Sequence, residues 1–558
     1  MYCPNKYLNF SELKSLLSYL HEKYSEKCDL ETLAKTEEGR EIFLLTIYDK
    51  SKKPHNERPA LWIDGGTHAM ELATTQAAVH TAHLLLENPN SSKKVDFILS
   101  NYTVYILPRI SPDGTEHVLK SGRYIRSSPK GYPDVPFPSG FHEKDLDGDN
   151  EALTMRIKDP NGRWKISTQN PNLMVPRGLN DFEDDQDYYN LLNEGLVENY
   201  DGHKITEGNQ HGLDFNRNFP ADWRGDAQTA GAGMFPLDQI ETRTVVEAIV
   251  ERKNIFTLQS FHTFSGVTLR PFANLPDSEM DPHDLFVYKK LGDISKQITN
   301  YDCVSINHDF KYHPNIKMTG SFLEWAYSDR GIFTFCTELW NIKDVVGLEK
   351  KDYLKDAFHG YSESDQQAIW KFLDQKSIIK KYFKEWTKFN HPQFGEVEIG
   401  GWRFLKIFTN PPTEFLEEVV EKNANSTIEL ALSLPILNIK ETKVEAINED
   451  LHRLDIIVEN KGALPTYGSQ VSLKNKVGNQ PFVVFESETL KIVNSPQKRE
   501  IPHLEGRTQN YIISNNMFNV IDANSNEVKL SWVLQGKGLG DIYMKFGKAG
   551  SMTYRILI

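Results

Sequence analysis

Residues 63–76, IDGGTHAMELATTQ, set a histidine and a glutamate three positions apart, His68 and Glu71, just after a short apolar run. Positions i and i+3 project to the same side of a helical turn, so both side chains could reach one cation. A zinc ion held by three histidine and carboxylate ligands, with one position left for water, is a common centre for hydrolysis of an unreactive amide. The spacing alone carries little weight. With 17 histidines and 77 acidic residues in 558 positions, roughly two such pairs arise by chance. His142/Asp145, His211/Asp214 and His452/Asp455 share the spacing. A third ligand and an acid–base group must come from elsewhere.

Candidates lie at the ends of other apolar runs. LQSFHTFSG places His262 at the close of a strand-like segment, where a lone histidine is ordinarily structural. FTFCTELWN drives a carboxylate, Glu338, into the end of a hydrophobic run, and buried acids are rare unless paired or used. GLDFNRNFP, residues 212–220, brings Asp214, Asn216 and Arg217 together in what reads alone as a polar loop.

Taken in order, THAME, PRISPDG, GRYIR, GLDFNRNFP, SFHTFSG and FTFCTELW resemble the zinc metallocarboxypeptidases of the carboxypeptidase A type, from about residue 7 to residue 341 or somewhat beyond. The resemblance implies that His68, Glu71 and His262 hold one zinc ion, with Asp214 orienting a ligand imidazole. It makes Glu338 the carboxylate that accepts a proton from the attacking water and passes it to the leaving amine. Arg126, in RYIR, would polarise the scissile carbonyl, and Asn216 with Arg217 would hold the substrate's terminal carboxylate. A fixed guanidinium pairing with a carboxylate through two parallel hydrogen bonds suits a peptide with a free C-terminus.

The match has departures. Met70 stands where pancreatic-type enzymes often have arginine, and Phe264 where tyrosine is common. In HDFKYHPNIKMTGSFLEW, Tyr312 is the nearest candidate for the family's mobile tyrosine. Phe322 and Leu323 in GSFLEWAY suggest an apolar side-chain pocket, with Glu324 as the discordant neighbour. DLDGDN, residues 145–150, opens like a calcium loop at Asp145, Asp147 and Asp149. Asn150 in place of glycine and Arg156 at loop position twelve favour a solvated turn instead. His80 and His83, three apart on an apolar helix pattern, read as helix-face residues.

The elements that must position these residues read as an α/β fold with a mixed, mostly parallel sheet flanked by helices. Strand-like runs at 41–48, 59–64, 102–110, 255–261 and 331–339 alternate with helical patterns at 71–88, 236–252 and 284–299. In such sheets the chemistry gathers at the carboxyl ends of the strands. Residues 9–25 predict a helix capped by Asn9, with Glu12 closing a capping box. Residues 127–212, rich in Pro, Gly, Asp and Asn, predict an insertion. Residues 345–430 read as helical and then irregular, finishing a catalytic domain of residues 1–430, and KSIIKKYFKEWTK within them reads as a solvated helix face. Short β runs from 431 to 558 predict an all-β sandwich domain.

Composition narrows the classes. A net charge of −13 argues against general nucleic-acid binding, and no apolar run is long enough to span a bilayer. Four cysteines without a C-x-x-C pair make no disulfide framework. With no secretory signal visible, a cytoplasmic location is expected. The partner implied is a peptide with a free C-terminus; the oligomeric state is open. Two other functions fit: a zinc amidase acting on cell-wall peptides or N-acyl amino acids, and an inactive binding protein on a peptidase fold.

Overall fold

A computed structural model describes residues 2–87, 92–182, 186–311, 316–350, 353–354, 360–508 and 525–558. An eight-stranded mixed sheet organises it, in the order Cys28–Lys35, Glu41–Ile47, Thr103–Leu107, Ala60–Asp64, Ile255–Thr263, Phe333–Leu339, Val267–Arg270, Asp302–Ser305. The four middle strands, from Thr103–Leu107 to Phe333–Leu339, run parallel. Ala60–Asp64 and Ile255–Thr263 are buried along their whole length, as strands covered on both faces must be. Cys28–Lys35, Val267–Arg270 and Asp302–Ser305 were not legible as strands, because each is short or largely half-exposed.

The helix Phe10–Lys23 begins as its sequence predicts. The Asn9 side chain accepts from the Glu12 N–H, and the Glu12 carboxylate accepts from the Asn9 N–H. Leu13, Leu16, Leu17 and Leu20 form its buried face. Helix Leu72–Glu87, buried almost all round, packs against Thr413–Ala431, which also packs on Pro282–Thr299. Among the described residues no helix is long and apolar enough to cross a membrane.

Residues 127–212 contribute short strands that do not stand alone. A hairpin of Phe383–His391 and Gly395–Trp402 pairs antiparallel with Thr154–Lys158 and completes a six-stranded sheet. The lysine-rich stretch 376–388 is therefore not a solvated helix face. It is helical only over Ile379–Tyr382 and then enters the hairpin. A register shift between Lys384 and Thr387 breaks the two-residue alternation that would have announced a strand.

Strand Leu437–Ala446 opens two four-stranded sheets. Leu454, Ile456, Val458, Leu530, Trp532 and Leu534 of one sheet share a buried core with Val483, Phe485, Ile542 and Met544 of the other, the inner faces of a sandwich. This body docks on the first: the Ser469 hydroxyl donates to the Gly331 carbonyl at 2.7 Å, and the Tyr102 hydroxyl donates to the Leu434 carbonyl at 3.2 Å.

Ile399 is fully buried with Leu153, Met155 and Val397, where the hairpin meets the insertion. Ile399→Ala should cost roughly 2–5 kcal/mol there. Limited proteolysis should then cut faster within 154–193; unaltered digestion would count against the shared sheet.

Candidate active site

The parallel strands deliver their carboxyl ends to one place. His262 and Glu338 are register partners on adjacent strands. Ala60–Asp64 leads into the turn that carries His68 and Glu71, directly before helix Leu72–Glu87. That turn is tight: Gly66 has φ +67°, and a Cβ there would lie 3.2 Å from the Arg109 backbone. Its N–H donates to the Thr74 hydroxyl at 2.8 Å.

His68 Nδ1 lies 2.7 Å from Glu71 Oε1, and His262 Nδ1 lies 3.1 Å from Glu71 Oε2. The two Nδ1 atoms are 3.1 Å apart, and all three side chains are buried. On the outer edge of His68, Nε2 lies 3.1 Å from Asp214 Oδ1. A carboxylate there holds the proton on Nε2 and turns the Nδ1 lone pair inward. Two inward imidazole nitrogens and one carboxylate form a donor set that fits zinc.

Asp214 serves a second group, accepting from Arg126 Nε at 3.0 Å, while Arg126 Nη1 lies 3.6 Å from Glu71 Oε1. Burial alone would raise the Asp214 carboxyl. Arg126, then Arg217 and His68, outweigh burial and hold it well below the usual carboxylate range. Glu71 behaves alike: burial opposes its charge, but His68 and His262 pull it below its ordinary value. Glu338 goes the other way. Burial and then the negative Glu71 push it above the usual range, against a weaker pull from His262 and Arg126. Two carboxyls in one small site are separated into one that stays charged and one able to carry a proton.

Asn216 and Arg217 sit on the short turn Phe215–Arg217, where Asp214 Oδ1 accepts from the Asn216 N–H at 2.9 Å. The Asn216 side-chain carbonyl accepts from the Phe322 N–H at 2.9 Å, and Arg217 donates to the Asn216 backbone carbonyl at 2.8 Å. Among the described residues Arg217 forms no ion pair. It lines one cavity with His68, Arg126, Asn216 and Glu338, and the remaining wall includes Leu269, Ile306, Phe310, Met318, Leu323 and Cys336.

Residues 13–359, more than half of the chain, match the model of the zinc carboxypeptidase family. The chain belongs to that family. Among curated relatives it is 30% identical over 122 residues to carboxypeptidase B of Astacus astacus, covering 22% of this chain and 38% of that protein. Over 142 residues it is 28% identical to metallocarboxypeptidase A of Arthroderma otae, covering 25% and 33%. The chain thus spans about a third of the length of the curated relatives it matches. The solved carboxypeptidase A of Helicoverpa armigera overlaps with a TM-score of 0.41 at 16% identity, over 68% of this chain and 74% of that one. Thrombin-activatable fibrinolysis inhibitor overlaps with a TM-score of 0.41 at 14% identity, over 76% and 75%. Residues 436–556 match a domain of unknown function.

Within this zinc carboxypeptidase framework the departures find places. Met70, within the His68–Glu71 turn, packs with Ala69 and Val118. Phe264 meets Phe404 edge-on, ring centroids 6.3 Å apart. Leu323 lines the cavity, whereas Phe322 points into a separate core beside Phe219 and Trp325. Glu324 is not among the lining residues; its carboxylate accepts from the Ala273 N–H at 2.9 Å. Tyr312 lies outside the described residues. The lining residues Leu269, Ile306, Phe310, Met318 and Cys336 went unforeseen, because they come from separate elements and share no motif.

The calcium reading of Asp145, Asp147 and Asp149 finds no support. Lys384 Nζ lies 2.6 Å from Asp147 and 2.5 Å from Asp149, so an ammonium already bridges that pair. Asp145 instead accepts from the Gly148 and Asn150 N–H groups, the Asp-Gly turn the sequence favoured. His80 is hydrogen-bonded to Tyr2 and Glu421, a helix-face role.

A carboxyl raised in the folded state keeps its proton to higher pH than in the unfolded chain, so its contribution to stability falls as pH rises above the ordinary carboxyl range. In zinc-stripped protein, Glu338→Gln should therefore raise the melting temperature by a few degrees at pH 8, and the gain should shrink towards pH 5. An equal shift at both pH values would contradict the electrostatics of the site.

Proposed function

We propose that this chain is a zinc-dependent metallocarboxypeptidase that hydrolyses the C-terminal peptide bond of peptides. The observation that carries the reading is one cavity lined by His68, Glu338 and Arg217, the last forming no ion pair among the described residues. Zinc held by His68, Glu71 and His262 would supply a Lewis acid and a water of lowered pKa. The Glu338 carboxylate takes a proton from the attacking water and returns it to the departing amine nitrogen. Arg126, steadied by Asp214, offers N–H groups to the carbonyl oxygen as negative charge grows there. Arg217 and the Asn216 amide hold the terminal carboxylate, fixing which bond is presented.

The apolar wall supports a substrate ending in a hydrophobic residue, since among the described lining residues only His68, Arg126, Arg217 and Glu338, all given other roles here, could meet a charged one. We take residues 1–430 as the catalytic unit, with 127–212 as its insertion, and 431–558 as an accessory domain. The same metal chemistry would serve an amidase acting on N-acyl amino acids or cell-wall peptides, so a γ-glutamyl-diaminopimelate peptide belongs in any substrate panel.

Glu338→Gln should lower kcat by about 10²–10⁴ with zinc content unchanged. Arg217→Ala should lower kcat/KM on a free-acid peptide by about 10² while leaving the amidated peptide equally poor, because both binding and alignment are lost. An enzyme that cleaves amidated and free peptides alike would remove the exopeptidase reading. On blocked dipeptides, kcat/KM for C-terminal Phe or Leu should exceed that for Arg, Lys or Asp by at least about tenfold. A preference for a basic residue would show that the apolar wall does not receive the side chain.

A further inference from the structure

The segment 404–410 lies after residue 359, where the family match ends, and before residue 436, where the second match begins. It nonetheless reaches the ligand loop. Asn410 is fully buried. Its Oδ1 accepts from the Ala73 N–H at 3.0 Å, and its Nδ2 donates to the carbonyls of Met70 at 2.8 Å and Leu405 at 2.9 Å. Met70 and Ala73 bracket Glu71. Ala73 also lies in the first turn of helix Leu72–Glu87, whose leading N–H groups have no partner inside the helix. A side chain 337 positions away supplies one. The segment is itself held, since Trp340 Nε1 donates to the Ile407 carbonyl at 2.7 Å and Leu405 packs with Ala69 and Met70.

Asn410 thus meets one N–H and two carbonyls in a dry site, an arrangement that a primary amide satisfies completely. Alanine would strand the Ala73 N–H and the Met70 carbonyl, whereas the Leu405 carbonyl would keep the Asn410 backbone N–H, 3.2 Å away. Aspartate could still accept from Ala73, but it would set a second oxygen against two carbonyl oxygens.

We infer that Asn410 is a positioning residue for the metal centre, fixing the backbone on both sides of Glu71 and so the direction in which the ligand carboxylate is presented. The inference rests on the zinc reading above. A ligand loop held this way pays no ordering cost when the ion arrives, and groups that orient ligands without touching the metal typically change affinity by 10–100-fold. A purely structural role would lower stability without touching affinity.

Zinc Kd measured by competition with a chromophoric chelator separates the two. Asn410→Ala and Asn410→Asp should each weaken zinc binding by about 10–100-fold. Ser469→Ala, which loses the buried bond to Gly331 far from the ligands, should lower the melting temperature and leave Kd within about twofold. Wild-type Kd values in folded Asn410 variants overturn the inference. Should those variants not fold, hydrogen exchange of the wild type decides. Adding zinc to stripped protein should slow exchange in both 66–76 and 403–411, and protection confined to 66–76 overturns the inference. A wild type that binds no zinc overturns the zinc reading together with this inference, whereas a zinc-binding wild type with unchanged variants overturns this inference alone.

Discussion

Everything at the site depends on the parallel alignment of three strands. Ile255–Thr263 pairs with Phe333–Leu339 on one side and Ala60–Asp64 on the other. That register sets His262 level with Glu338 and Ser260 level with Asp64, from which the chain turns into the His68–Glu71 loop. A slip of one residue in any strand would turn its side chains to the opposite face. Burial on both faces resists the slip, because every position along Ala60–Asp64 and Ile255–Thr263 is packed.

On that platform one carboxylate governs the charge. Asp214 accepts from His68 on one oxygen and from Arg126 on the other, so ring orientation and guanidinium position are set by a single carboxylate. Asp214 also accepts from the Asn216 N–H, which links both to the turn bearing Arg217. The three groups assigned to ligand orientation, carbonyl stabilisation and carboxylate binding are therefore mechanically coupled. Losing Asp214 would disturb more than one of them, and the effects would not add.

How much of this was legible in the sequence followed from burial and locality. The central strands were readable because continuous apolar runs can only be buried strands or helices of that length. The cap at Asn9 and Glu12 was readable because it is complete within four residues. The candidate site motifs could be read only jointly: His68, His262 and Glu338 each have an ordinary structural explanation, and only their order along the chain carried the resemblance. What stayed hidden was non-local. The hairpin 383–402 was obscured by a bulge and by lysines that read as solvent-facing. The cavity wall is assembled from Leu269, Ile306, Phe310 and Met318, residues that any core would also use. The bridging of Asp147 and Asp149 depends on Lys384, far away in the chain, which no local pattern could pair with them.

The route of the chain after Glu338 explains why so much non-local structure gathers beside the loop. From Trp340 the chain leaves the sheet, adds two of the six strands of the insertion's sheet with 383–402, and must return to lay helix Thr413–Ala431 on Leu72–Glu87. That helix begins beside the first turn of its partner, so the approach through 404–410 passes beneath Met70 and Ala73, where backbone groups await partners. Any residue there must satisfy a carbonyl and an N–H together. The docking of a distant helix and the order of the His68–Glu71 loop are thereby the same packing problem, solved once by the segment that connects them.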